Sequence, residues 1–311
     1  MFAARPMAKV NLTLEVGPLG DDGYHPLRSV FMRIGLTDRI RMRLTDADSD
    51  RVVVDGLRGA PVEGNICVRA LTLLRERAGF ALPPVEIELD KRIPVAAGLG
   101  GGSSDAAAAL RLAQACWGVG LAAREELELA ARLGSDVPFF AADAEVALIE
   151  GRGEVVRALR GVDGGAGLLL VTPRVELSTG AVFARHDARG VRPPDSRTSV
   201  TDGLADAFEK GLSADELCDW PGQLRGADVN DLWPAAASLE PSLPALRDDL
   251  ERRTDRTWLL SGSGPTLFAL YPSATDAADA GRALVDRPAS LGDALIHAVD
   301  LVGPDPAWRS S

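Results

Sequence analysis

The chain has 311 residues, 46% of them hydrophobic, enough apolar material for one large domain or two ordinary ones. A formal charge of −11 argues against a general binder of nucleic acid or anionic membranes, so an anionic substrate must be met by local basic groups and backbone donors. Three scattered cysteines (Cys67, Cys116, Cys218) and three histidines argue against a zinc cluster and fit a reduced, cytoplasmic setting; no signal-peptide pattern and no apolar run of transmembrane length is visible.

Residues 7–16 alternate, with Ala8, Val10, Leu12, Leu14 and Val16 on one face and Lys9, Asn11, Thr13 and Glu15 on the other. That is the period of a strand with one apolar side, and alternation alone assigns the lysine side to solvent. A glycine- and aspartate-rich loop follows and ends in Tyr24-His25-Pro26, a tip suited to binding or simply to packing over the hairpin. Strand patterns recur at 29–34, 38–44 and 51–55. Asn65 is a good N-cap for an amphipathic helix over 65–78, and residues 85–90 read as a half-buried strand.

The next stretch is Pro94-Val-Ala-Ala-Gly-Leu-Gly-Gly-Gly-Ser-Ser-Asp-Ala-Ala, with Gly98, Gly100, Gly101 and Gly102 inside five residues. The order strand, glycine loop, helix (104–117) suits a phosphate cradle. Glycine lets an anion approach the backbone, and the helix start offers unpaired N–H groups and the positive end of the dipole. The loop lacks the terminal lysine of a P-loop, and Ser103 stands where a dinucleotide fingerprint needs its third glycine. A glycine turn with a Ser/Asp cap is the plain alternative.

A helix at 123–133 runs into Gly134-Ser-Asp-Val-Pro-Phe-Phe. Asp136, held beyond a helix end and backed by Phe139 and Phe140, is a candidate base or else the head of an Asx turn. A strand at 146–150 and an all-apolar one at 168–172 flank the glycine-rich 161–167, where the domain boundary is expected, giving domains of 1–160 and 161–311. Ser178 or Thr179 can cap a helical start, and residues 184–201 form a long polar segment read as a loop. A helix over 243–253 precedes a strand at 257–260, a second glycine-rich loop (Ser261-Gly-Ser-Gly-Pro-Thr), a strand at 267–271, a helix at 275–285 and a strand at 294–302. That run is the pattern of a small α+β sandwich.

Three blocks, the Lys9 strand, the central glycine loop and Ser261-Gly-Ser-Gly-Pro-Thr, resemble in order the GHMP small-molecule kinase superfamily. Asp22-Gly-Tyr-His, Leu27-Arg-Ser-Val-Phe, Gly134-Ser-Asp-Val-Pro-Phe-Phe and Asn230-Asp-Leu narrow the likeness to members acting on a cytidyl diphosphate substrate. The resemblance implies an α+β fold: an N-terminal domain similar to ribosomal protein S5 domain 2 and a C-terminal ferredoxin-like α/β sandwich. It further implies ATP-dependent phosphorylation of a tertiary alcohol, the 2-hydroxyl of a cytidyl-diphosphate-linked methylerythritol, in non-mevalonate isoprenoid precursor synthesis.

Carried onto this sequence, the resemblance makes Asp136 the base and Lys9 the group that offsets developing charge. ATP falls to Pro94, Ala96, Ala97, Gly98, Leu99, Gly100, Gly101, Gly102, Ser103 and Ser104, with Asn65 as a nucleotide contact and Ser104 as a Mg²⁺ contact. Tyr24 and Phe183 become the two faces of a cytosine clamp, His25 or its backbone reads the base edge, and Asn11, Thr179 and Gly262 complete the substrate side. The loop begins Ala96-Ala97 where relatives are richer in glycine. The expected partners are ATP and the small molecule, without nucleic acid or membrane; oligomeric state stays open. Two other readings remain: a homoserine- or mevalonate-type kinase, which would not need the Tyr24/His25 loop, and a non-catalytic nucleotide-binding regulator, which would not need Lys9 and Asp136.

Overall fold

The long strand Leu27–Thr37 explains why the chain shows so little polar alternation after residue 28. In the computed structural model, which describes residues 1–56, 64–190, 199–223, 229–284 and 291–301, this strand is buried on both faces. Val30, Met32 and Ile34 enter one core and Phe31 another, as a period of two requires. It pairs antiparallel with Met7–Asn11 and Glu15–Val16 on one edge and with Val146–Gly151 on the other, and Val155–Leu159 completes the sheet.

A second sheet takes the order Phe2–Ala4, Arg39–Leu44, Val85–Lys91, Arg51–Gly56. Helices Ile66–Ala78, Gly101–Trp117 and Ala123–Leu133 share its core. The run Ala106 to Ala109 is wholly buried, and the small side chains let the helix that follows the glycine loop sit deep between its neighbours. In the C-terminal half, Gly167–Thr172 lies between Leu267–Tyr271 and Leu295–Asp300, all antiparallel, with Leu259–Leu260 at the edge. Leu168 and Leu170 join the core that contains Val30 and Met32, while Leu169 and Val171 join a third core with helix Ser242–Thr254.

The expected division at 160/161 falls between the last strand of the first sheet and the first strand of the C-terminal one. Contacts cross it: one core is continuous from Val30 to Phe268, and Leu14 bridges to Asn230. Several elements differ from the sequence reading. The strand from residue 7 pauses after Asn11, and its polar side is not solvated: Lys9, Asn11 and Thr13 are buried. Of the polar segment 184–201, the start belongs to helix Thr179–Ala188 and the end to helix Val200–Lys210; residues 191–198 lie outside the described residues. Helices Val200–Lys210 and Ala214–Gln223 had no expected counterpart. Among the described residues no helix is long and apolar enough to cross a membrane.

Candidate active site

The glycine loop starts from fixed points. Ile93, Ala97 and Leu99 are buried in the core, so Ala97 and Leu99 offer the cleft backbone rather than side chain. Between them the chain must turn sharply. Gly98 has φ +76° and would place a Cβ 2.1 Å from the Ser261 carbonyl oxygen, so only glycine lets the two glycine-rich loops touch. Gly100, at φ +69°, caps helix Gly101–Trp117 in the left-handed conformation without a side-chain cap bond. The helix therefore starts three residues earlier than the sequence suggests, and its first N–H groups open onto a cleft of about 440 Å³. Ala96 also has positive φ (+53°), a conformation alanine adopts reluctantly.

Opposite the loop lies Lys9. Its ammonium donates to Asn11 Oδ1 (2.6 Å) and to the Gly98 carbonyl (3.1 Å), pairs with Asp136 Oδ2 (3.3 Å) and lies 4.6 Å over the Phe31 ring. Asn11 is fixed in turn by donating to Ser29 Oγ (3.1 Å), and Ser29 donates to the Thr13 carbonyl. Asp136 precedes the short helix Val137–Ala141, which carries Pro138 in its first turn and whose Phe139 and Phe140 are buried beside Phe31. Lysine, carboxylate and glycine loop thus stand on rigid backbone.

A second charged group was not foreseen. Lys91, also lining the cleft, bridges Asp38 and Asp105, with Asp105 Oδ2 at 2.7 Å. Asp38 Oδ1 accepts the backbone N–H of Arg92 and Ile93, which fixes the entry to the glycine loop. Burial pushes the Asp105 carboxyl up to about 8, with Lys91 pulling the other way and Asp38 adding to the rise. Burial works against the Lys91 charge, yet Asp105 and Asp38 carry its pKa upward. Among the described residues Asp105 Oδ1 has no hydrogen-bond partner. One signal was available: Lys9, Lys91 and Lys210 are the only lysines among 34 Lys and Arg, and two of the three line this cleft.

Models of the GHMP kinases N terminal domain and the GHMP kinases C terminal match residues 65–143 and 219–289. The 4-diphosphocytidyl-2-C-methyl-D-erythritol kinase of Mycolicibacterium smegmatis is 39% identical over 306 residues, which cover 96% of this chain and 91% of that one. The chain belongs to the GHMP kinases. A crystal structure of 4-(cytidine 5'-diphospho)-2C-methyl-D-erythritol kinase superposes with a TM-score of 0.70 at 31% identity, covering 96% of this chain and 99% of the other. The mevalonate kinase of Methanococcus jannaschii gives a TM-score of 0.69 at 15% identity over 97% and 98% of the two chains, a likeness of fold alone.

In this GHMP kinase the cleft gathers Lys9, Asn11, Asn65, Pro94, residues 96–103, Asp136, Thr179, Phe183 and Gly262. Asn65 lines the cleft, and its side chain also accepts from the Cys67 N–H as a helix cap. Three expected residues are elsewhere. Ser104 is buried and lines a small cavity beside Arg33 and Arg111 instead, because one helical step turns it away from Ser103. Tyr24 is exposed on its loop under the Arg152 guanidinium, 4.7 Å from the ring centroid. His25 is buried behind Phe183, ring centroids 5.4 Å apart, with Nδ1 2.8 Å from the Gly17 carbonyl and Nε2 3.2 Å from Asp187 Oδ1. Thr179 pairs with Ser263, 2.9 Å between hydroxyls.

Proposed function

We infer that the protein transfers the γ-phosphoryl group of ATP to the 2-hydroxyl of 4-diphosphocytidyl-2-C-methyl-D-erythritol, giving the 2-phosphate and ADP, a step of non-mevalonate isoprenoid precursor synthesis. The observation that carries this reading is the Lys9–Asp136 pair facing the glycine loop. Asp136 accepts the proton of the attacking hydroxyl. Lys9, already oriented by Asn11 and Gly98, offsets the negative charge that develops on the transferring group. The helix start at Gly101 and the loop N–H groups receive the phosphates. Phosphoryl transfer asks for positioning and charge neutralisation rather than a covalent nucleophile, and this cleft supplies both.

Among the described residues no cluster of three or more His, Cys, Asp or Glu could hold a metal by itself. Mg²⁺ suits a site with few protein oxygens plus substrate phosphates, and the cleft offers the Ser103 hydroxyl. This hydroxyl, rather than that of Ser104, would hold Mg²⁺ arriving with ATP, and the ion would neutralise charge on the β- and γ-phosphates.

On the substrate side, Phe183 offers a face to cytosine, and Thr179, Asn11 and Gly262 border the polar chain. Both ring nitrogens of His25 are engaged, so its backbone reads the base edge, and Tyr24 supplies the second face when the hairpin tip folds over the base. Three free cysteines fit a reducing cytoplasm. An ADP-release assay against the cytidyl substrate, homoserine, mevalonate and galactose tests the reading. Turnover confined to the cytidyl substrate is the expected result. Preference for homoserine or mevalonate replaces the substrate, and ATP binding without turnover of any acceptor favours a regulator.

A further inference from the structure

Helix Thr179–Ala188 carries both Phe183 and Thr179 and is fastened at each end. Ser178 caps its start and Thr179 meets Ser263. At its other end Asp187 reaches His25 Nε2 at 3.2 Å, across to the hairpin loop of the N-terminal half. His25 is buried and Asp187 half-exposed. The Gly17 oxygen facing Nδ1 can only accept, so Nδ1 must carry a hydrogen. Nε2 can then donate to Asp187 only when the ring is doubly protonated; the neutral ring turns a lone pair toward a carboxylate. The contact therefore closes only while His25 is charged.

Asp187 is also out of place by the rules of its own helix. A C-terminal turn leaves carbonyls unpaired and carries the negative end of the dipole, which suits Arg185 and His186 but not a carboxylate. His25 compensates it. The other titratable ring facing His25 is His186, edge-on at 6.3 Å, whose Nδ1 lies 3.2 Å from the Asp231 carbonyl; the Asp231 carboxylate is occupied by the Val16 N–H.

Resting on the cytidyl reading above, we propose that Asp187 is a positioning residue for the cytidyl site: through its contact with charged His25 it holds the Phe183-bearing helix against the hairpin loop, and cytidine nucleotides bind more weakly once that contact opens. The test uses the full chain, with CDP as probe. Calorimetric titration of the parent, Asp187→Asn and Asp187→Glu is run at about pH 5.5 and pH 8, which bracket the ordinary value of free imidazole. Beside it stand both Michaelis constants, the melting temperature and protection factors from hydrogen exchange over 179–188.

At the lower pH Asp187→Asn is expected to weaken CDP about fivefold, the upper end for a half-exposed pair. It should lose the pH dependence that the parent shows, with kcat and the constant for ATP within about twofold. Asp187→Glu should recover most of the affinity. Protection over 179–188 should fall in Asp187→Asn alone. Unchanged CDP affinity or unchanged protection in Asp187→Asn overturns the positioning role while leaving the cytidyl reading intact. So does a parallel loss for ATP with a lowered melting temperature, which marks a merely structural residue. A parent that binds no CDP at either pH sinks the cytidyl reading itself, and the positioning role with it.

Discussion

Asp136→Asn keeps the size of the side chain while removing its charge and its basicity. The structure separates what this does to the resting protein from what it does to the reaction. At 3.3 Å, and with an effective dielectric of about 20, the Lys9–Asp136 attraction is on the order of 5 kcal/mol before solvent is counted. The Asp136 side chain is 29% exposed, so water screens much of this, and a net value on the order of 1 kcal/mol is realistic. The Lys9 ammonium keeps Asn11 Oδ1 and the Gly98 carbonyl as acceptors. The melting temperature and both Michaelis constants should therefore change little. Loss of a general base, by contrast, costs about 10²–10⁴ in rate, or roughly 3–5 kcal/mol in the barrier. Coupled ADP release at saturating substrates should show that fall in kcat. Lys9→Met should show a comparable one, and the double variant should be little worse than either single. Parent-like turnover by Asp136→Asn would remove the base from the mechanism and leave positioning alone to carry it.

Three further outcomes are expected. Gly102 is the clean probe of the phosphate cradle, because a Cβ there meets nothing within 4 Å, whereas at Gly101 it would come within 2.8 Å of the Ile93 side chain. Gly102→Val should raise the constant for ATP by about tenfold or more while the melting temperature holds, since the new side chain projects into open space near the helix start; unchanged ATP affinity would move the phosphates elsewhere. Phe183→Ala should raise the constant for the cytidyl substrate about tenfold to a hundredfold, the worth of one stacked face, and leave that for ATP alone. A loss shared by both substrates would make Phe183 a packing residue. Asp105 gives a pH signature. Its carboxyl stands at about 8 in the folded chain, against about 3.9 unfolded. The folded state therefore binds this proton more tightly, so its stabilisation is complete below the unfolded value and is lost as pH rises through about 8. Melting temperature across about pH 4 to 8 should slope downward less in Asp105→Asn than in the parent, and identical slopes would refute the assignment.

Much of this was legible before any coordinates. The helix Ala123–Leu133 and the strand Leu267–Tyr271 match their expected bounds, and the cradle, Lys9 and Asp136 meet in one cleft. Periodicity reports which side chains share a face, but not what covers that face. Lys9, Asn11 and Thr13 alternate as solvent-facing residues do, yet they form a buried polar wall held by Ser29. The left-handed turn at Gly100 is equally invisible in a run of glycines, which is why the helix start was misplaced. Asp38 lies 53 residues from Lys91 and meets it through the pairing of Arg39–Leu44 with Val85–Lys91, while Asp105 comes from the first turns of helix Gly101–Trp117. Asp187 and His25 belong to different halves and share no motif.

The carbonyl oxygen of Gly98 accepts from the Lys9 ammonium and, at 2.9 Å, from the Ser261 hydroxyl, which belongs to the C-terminal half. One atom thus tethers the wall that holds Lys9 to the wall that holds Ser261. Any parting of the two walls must stretch the Ser261 bond, while the Lys9 contact stays within the wall that carries both Lys9 and Gly98.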